Sequence, residues 1–356
     1  NSLLPINKNG QKITLIGHLA DDNNSPLGNW RGAGESNTAV TVLEGLENYG
    51  NNSITYKKGV DLYYGETNFH NRVKLNHKDK TGFKEAKIAA KSADIVVIVL
   101  GEEGFQSGEG RSRTELGLPG LQQELLEEVY KVNKNIVLVL MNGRPLNLTW
   151  ADENIPAILE TWHLGTQSGN AIAEVLYGNY NPSGKLTMSF PRNVGQVPLY
   201  YNYKKTGRPG ASSAEVTKST YADVENSPLY PFGYGLSYTS FSYSDFSLSS
   251  KEITRDDTII ASVKITNTGK VKGKEVVQMY IRDHYGSLAR PVKELKGFEL
   301  LELNPGETKE VSFEIDNSKL LYYTANDRWE SENGKFSVFI GGDSDVKENK
   351  SFDLIN

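Results

Sequence analysis

Two domains of different class follow from this sequence: a mostly parallel α/β sandwich domain with helices on both faces, then an all-β, antiparallel sandwich of immunoglobulin-like type. Over the first half, continuous β-branched runs alternate with helix-length segments, the pattern of a parallel sheet covered on both sides. Beyond about residue 241 the apolar residues recur at every second position, with turn signals between the runs. At 356 residues the chain also exceeds the roughly 100 to 200 residues of one ordinary domain.

In order along the chain, Lys12-Ile-Thr-Leu-Ile-Gly17 reads as a buried strand, and Glu35 to Leu46 as a helix behind Ser36 as N-cap. Phe83 to Ala93 is amphipathic at helical spacing, and Asp94 to Leu100 is an apolar run of strand length. Pro119 to Val132 predicts a third helix, Asn135 to Met141 a buried strand, Ala157 to Trp162 a further strand, and Asn170 to Tyr177 a helix. In such sheets ligands meet the loops at the carboxyl ends of the strands. That singles out the segments after Gly17, Leu100, Met141 and Trp162.

Tyr, Gly, Pro and Ser then dominate from about Pro198 to Tyr238, the composition of an ordered linker. The predicted division is 1–197 for the α/β domain, 198–240 for the linker and 241–356 for the sandwich. Strands are expected at Phe241–Ser244, Ile259–Thr266, Glu275–Ile281, Glu310–Ile315 and Lys335–Ile340, with turns such as Asn267-Thr-Gly269, Asn304-Pro-Gly306 and Asn333-Gly334 between them.

Charge and composition exclude several classes of function. A net charge of −5 with interspersed signs offers no basic face for nucleic acid and no polybasic segment for anionic lipid. With no cysteine, disulfides, thiolate nucleophiles and zinc–cysteine sites are ruled out. The five histidines lack paired ligand spacing, so no metal site is expected. Ser36, Ser168 and Ser183 lack the nucleophile-elbow pattern, and the Gly-x-Gly strings lack the acidic partner of a dinucleotide site, so no cofactor is expected either.

A series of strings, in order and over nearly the whole chain, resembles the C-terminal part of the bacterial periplasmic-type β-glucosidases of glycoside hydrolase family 3. They include Gly28-Asn-Trp30, Gly101-Glu102 followed by Glu109 and Arg113-Thr114, Leu138 to Leu146, Ile158-Leu-Glu-Thr-Trp162, Tyr180 to Leu186 and Leu229 to Tyr238. Val277-Gln-Met-Tyr280, Arg290 to Phe298 and Leu303 to Thr308 continue the series in the second domain. The resemblance implies an α/β sandwich followed by a fibronectin type III-like domain. It also implies a preceding TIM-barrel domain that holds the aspartate nucleophile and most sugar contacts, and whose length and strand count the present chain does not have. On that expectation the chain corresponds to the C-terminal two-thirds of a retaining, exo-acting β-glucosidase, periplasmic or secreted, inactive by itself. Its partners would be β-glucosides or oligosaccharides and the barrel domain of the same protein.

By the same resemblance Glu109, in the glycine-jointed loop Gly101-Glu-Glu-Gly-Phe-Gln-Ser-Gly-Glu-Gly110, aligns with the general acid/base; by position alone it would be a solvated loop carboxylate. One position departs from the family, which often has a histidine before this glutamate where Gly108 stands here. Glu102 is the competing carboxylate and reads better as an acceptor of backbone or arginine hydrogen bonds at the strand end. Arg111 and Arg113 are expected to pair with Glu115 and fix the loop. Trp30 is a candidate substrate-binding platform or an ordinary interface aromatic, while Trp162 is expected in the core. The alternative to an enzyme fragment is a non-catalytic carbohydrate-binding or assembly module.

Overall fold

Residues 3–210 and 216–356 are described in the computed structural model. β1 (Asn9–Ile16), β2 (Asn51–Lys57), β5 (Ile95–Gly101), β6 (Ile136–Met141) and β7 (Ala157–Glu160) form one parallel sheet in the order β2-β1-β5-β6-β7; β3 (Tyr63–Tyr64) and β4 (Lys74–Leu75) make a short separate ladder. Every residue of β5 and β6 is buried. That is why both read as unbroken apolar runs: each face of the central strands is covered.

Ile13, Leu15, Val97, Val99, Val137 and Val139 share a core with Val42 and Leu46 of α1 (Val42–Tyr49) and Ile172 and Leu176 of α5 (Ser168–Leu176). On the other face Thr14 donates to the Ala89 carbonyl of α2 (Phe83–Lys91), which packs beside α3 (Gln122–Tyr130). A short helix, α4 (Thr149–Asn154), precedes β7. α1 and α5 approach through glycine: a Cβ on Gly45 would lie 2.1 Å from the Gly169 carbonyl oxygen.

Several details of the α/β domain differ from the sequence-based expectation. α1 begins at Val42, because Thr41 and Glu44 form a reciprocal capping box, Thr41 Oγ1 accepting from the Glu44 amide and the Glu44 carboxylate from the Thr41 amide, whereas Ser36 caps nothing. β2 was not anticipated, since an edge strand reading Asn-Asn-Ser-Ile-Thr-Tyr-Lys has only Ile54 and Tyr56 as apolar signal. α4 is too short for a periodic pattern. Trp162 is not core: it is half-buried, with a left-handed backbone (φ 52°) at the exit from β7.

The chain divides into two compact units, Asn1–Tyr180 with Asn193–Gly195, and Asn181–Arg192 with Gln196–Asn356. In the second, β8 (Phe241–Leu248), β10 (Ile259–Asn267) and β13 (Thr308–Ile315) form one antiparallel sheet. The other has the order β12-β11-β16-β17-β9, from β9 (Glu252–Ile253), β11 (Gly273–Asp283), β12 (Glu294–Leu303), β16 (Gly334–Gly341) and β17 (Lys350–Leu354). β14 (Tyr322–Tyr323) and β15 (Trp329–Glu330) form a small hairpin ladder after α6 (Asn317–Leu320).

Val263, Ile265, Val277, Met279, Val311, Phe336 and Phe352 fill the space between the sheets, the period-two set of the inner faces. β11 is buried on its outer face as well: Tyr201 stacks on Phe232 and meets Tyr280 edge-on, and Gln278 donates to the Gly233 carbonyl. Tyr201, Phe232 and Gly233 of the 198–240 stretch therefore pack on the sandwich, and residues 211–215 lie outside the described residues. Among the described residues no helix is long and apolar enough to cross a membrane.

Candidate active site

Numbering the five long parallel strands along the chain, their spatial order is two-one-three-four-five, so the winding reverses between β1 and β5. The crevice outside the carboxyl ends at such a reversal is the expected ligand position in open α/β sheets. The loop leaving β1 carries Trp30 and the loop leaving β5 carries Glu109.

The two loops lock together. Asn29 lies against Gly108, where a Cβ would come within 1.9 Å of the Asn29 amide nitrogen, and φ there is +119°. A side chain at position 108 would therefore have to displace the Asn29 amide and adopt a left-handed backbone. Arg31 donates to the Gly28 carbonyl and lays its guanidinium over the Phe105 ring at 4.5 Å. Trp30 and Glu109 each stand one residue from the Asn29–Gly108 contact, Trp30 with 70% of its surface exposed and Glu109 exposed without a side-chain partner among the described residues.

Beneath the loop, Glu102 is completely buried. Its Oε1 accepts from Arg113 Nη1 at 2.7 Å and lies 2.9 Å from Arg144 Nε, and its Oε2 accepts from the Gly143 amide at 3.2 Å. These bonds agree with the strand-end reading of Glu102. The expectation for the arginines is corrected: Arg113 pairs with Glu102 rather than Glu115, and Arg111 donates to the carbonyls of Phe69 and Asn71. Arg144, from the turn after β6, also donates to the carbonyls of Arg111 and Gln106.

Other groups gathered here were not foreseen. Glu103 accepts from the Phe105 amide at 2.7 Å, and burial pushes its carboxyl above the usual range. His163 lies beside Glu102, and burial lowers its imidazole. Buried atoms with no protein partner among the described residues concentrate at this edge: both polar atoms of the Asn29 amide, Arg31 Nη2, Glu103 Oε1, Asn142 Oδ1 and His163 Nε2. Such groups call for a partner that the protein itself does not supply, such as an ordered water or a ligand. No sequence pattern marks them, because each acquires its surroundings from loops far apart in the chain.

A polar cavity of about 540 Å³ opens at the same edge, lined by His18, Asp22, Asn24, Tyr63, Glu66 and Thr67 among others. A larger one of about 710 Å³, with Asp94, Tyr130, Lys134 and Asp152 in its wall, lies at the amino ends of β5 and β6, opposite the reversal. No cluster of three or more His, Asp or Glu side chains that could hold a metal ion occurs among the described residues.

Glu160, at the end of β7, accepts from the Trp162 amide at 2.9 Å and from Asn142 at 3.3 Å. It keeps some access to solvent but is ringed by protein, and desolvation, with a smaller contribution from the Glu102 charge, pushes its carboxyl up to about 8. A folded-state value above the unfolded one means that folding takes up a proton between the two. Its stabilising contribution is complete below the unfolded value of about 4.3 and is lost as pH rises through the folded value. Denaturant midpoints should therefore fall between about pH 5 and about pH 8 more steeply in the wild type than in Glu160→Gln. His18 and His163, lowered by burial, act in the opposite direction in both proteins, so the difference between the two curves reports Glu160.

Comparison with known proteins adds the following. A family model described as the glycosyl hydrolase family 3 C-terminal domain matches residues 1–238, and a fibronectin type III-like model matches 275–344. The chain is 47% identical to the periplasmic beta-glucosidase of Salmonella typhimurium over 99% of its own length and 47% of that protein. It is 41% identical to a beta-xylosidase of Formosa agariphila, again over 99% of itself and 47% of the relative. The crystal structure of a beta-glucosidase from Listeria innocua in complex with glucose superposes with a TM-score of 0.89 at 35% identity, covering 99% of this chain and 47% of that one. The chain thus spans about half the length of these relatives, less than the two-thirds the motifs implied.

Proposed function

This chain belongs to glycoside hydrolase family 3, and from that premise we propose that it is the acid/base-bearing part of a retaining, exo-acting β-glucosidase that removes terminal β-D-glucosyl residues. Glu109 protonates the departing glycosidic oxygen and then, as carboxylate, takes a proton from the water that resolves the glycosyl intermediate. The aspartate nucleophile belongs to a barrel domain of the same protein, and Trp30 offers a ring face to the sugar on the leaving-group side. The observation that carries the reading is the placement of an exposed carboxylate on the loop at the sheet's reversal point, anchored from below by a buried ion cluster. Periplasmic or extracellular location is proposed from the Salmonella relative.

Retention requires an attacking carboxylate about 5 to 5.5 Å from the acid, on the other side of the sugar. A fluorinated glucoside with an activated leaving group, which traps the glycosyl intermediate, should label the intact protein at a residue outside 1–356. The isolated chain should remain unlabelled and release no nitrophenol from an aryl β-glucoside. Peptide mass spectrometry that finds the label within 1–356 overturns the division of labour.

A further inference from the structure

We propose that Arg144 is the positioning residue for Glu109, fixing the segment that presents the carboxyl group by bonding to it on both sides. The inference rests on the acid/base reading of Glu109 given above. Arg144 follows the fully buried β6, in the turn Asn142-Gly143-Arg144, so its own base is rigid. Its Nε lies 2.9 Å from Glu102 Oε1 at the start of the loop. Its Nη2 donates to the Gln106 carbonyl, three residues before Glu109, and its Nη1 to the Arg111 carbonyl at 2.9 Å, two residues after. Between those bonds only Ser107 to Gly110 are spanned without a contact from Arg144, and Asn29 limits that span at Gly108.

A planar guanidinium can hold three acceptors in one geometry, and a lysine ammonium cannot reproduce that fork. The bonds to Gln106 and Arg111 go to backbone oxygens, so their effect is on the path of the chain rather than on charge. The ion pair with Glu102 does not need Arg144 alone, because Arg113 pairs with the same carboxylate. Arg144 is thus separable from the cluster's contribution to stability: a substitution there frees the loop while leaving Glu102 with a partner.

The test uses Arg144→Lys, which keeps a charge opposite Glu102, beside Arg144→Gln. In the present chain, hydrogen exchange of the Gln106 and Arg111 amides, which donate to the Glu103 and Gly108 carbonyls, should accelerate by about tenfold or more in both variants, with the sheet amides unchanged. In the intact protein, kcat for an alkyl β-glucoside should fall by about a hundredfold while kcat/KM for a dinitrophenyl β-glucoside, which needs little protonation, changes by less than about threefold. Unaltered loop exchange, or equal losses on the two substrates, overturns the role of Arg144. If Arg144→Gln does not fold, Arg144→Lys decides by the same readouts. Failure of the acid/base reading shows separately, as a Glu109→Gln variant with no dependence on the leaving group, while the exchange experiment still reports whether Arg144 pins the loop.

Discussion

Glu109→Gln in the intact enzyme should lower kcat/KM toward an alkyl β-glucoside by about a thousandfold, inside the range of roughly 10² to 10⁴ that general acid catalysis contributes. An alkoxide is too basic to leave unprotonated, so the whole loss falls on the first step. A dinitrophenolate leaves without help, and kcat/KM for that substrate should stay within about threefold of wild type. Its kcat should still drop, because glutamine cannot activate the water of the second step, and KM should fall with it as the glycosyl intermediate accumulates. Added azide, a small anionic nucleophile that needs no general base, should restore kcat on the activated substrate and yield the glucosyl azide with retained configuration. The surroundings of Glu109 motivate these expectations: it is exposed and, among the described residues, without a side-chain partner, on a loop whose flanks are bonded down, a carboxyl positioned but left open to an external group. Equal losses on both substrates, without azide rescue, would assign the acid to another residue, and Glu160, with its raised carboxyl value, would be the next to substitute.

How much of this could be read in advance depended on how local the cause was. β5 and β6 were legible because burial on both faces leaves an uninterrupted apolar string, and β10 because one buried face leaves a strict alternation. β12 was not, since it exposes Phe298 and Leu300 and slips register opposite Met279 and Tyr280, so the alternation breaks where a strand would be recognised. The start of α1 was misplaced because Ser36 looks like a cap, whereas the Thr41–Glu44 pair closes the box in space. At the site, Glu102 could be anticipated as a strand-end acceptor, but Glu109 came from resemblance: an exposed glutamate between glycines has no physical signature of its own. Arg144 lies 42 residues from Glu102. Its three bonds exist only after β5 and β6 have paired, and the crevice is defined only once the strand order is known.

Glu102→Leu should destabilise the α/β domain by about 3 to 5 kcal/mol, the cost of removing one member of a buried ion cluster and leaving its partners uncompensated. Glu102 is fully buried, and Arg113 and Arg144 each keep only 18% of their side-chain surface. Neither guanidinium can therefore turn wholly into water when the carboxylate is removed. The Gly143 amide loses its acceptor in the same substitution. Glu102→Gln should fall between the wild type and the leucine variant, since an amide retains one acceptor oxygen but aims its NH2 at donors. The pair energy can be separated from the orphaned charge by a double-mutant cycle with Arg113→Met. If the penalty is mostly an unpaired arginine, adding Arg113→Met to Glu102→Leu should recover about 1 to 2 kcal/mol, a negative coupling. Urea unfolding followed by tryptophan fluorescence and far-ultraviolet dichroism measures all four corners. A leucine variant within about 1 kcal/mol of wild type would show that the cluster contributes no net stability, as for an ion pair whose desolvation cost cancels its attraction. In that event its remaining effect is on where the loop runs, and the loss should be seen in the loop's hydrogen exchange and in turnover of the alkyl glucoside.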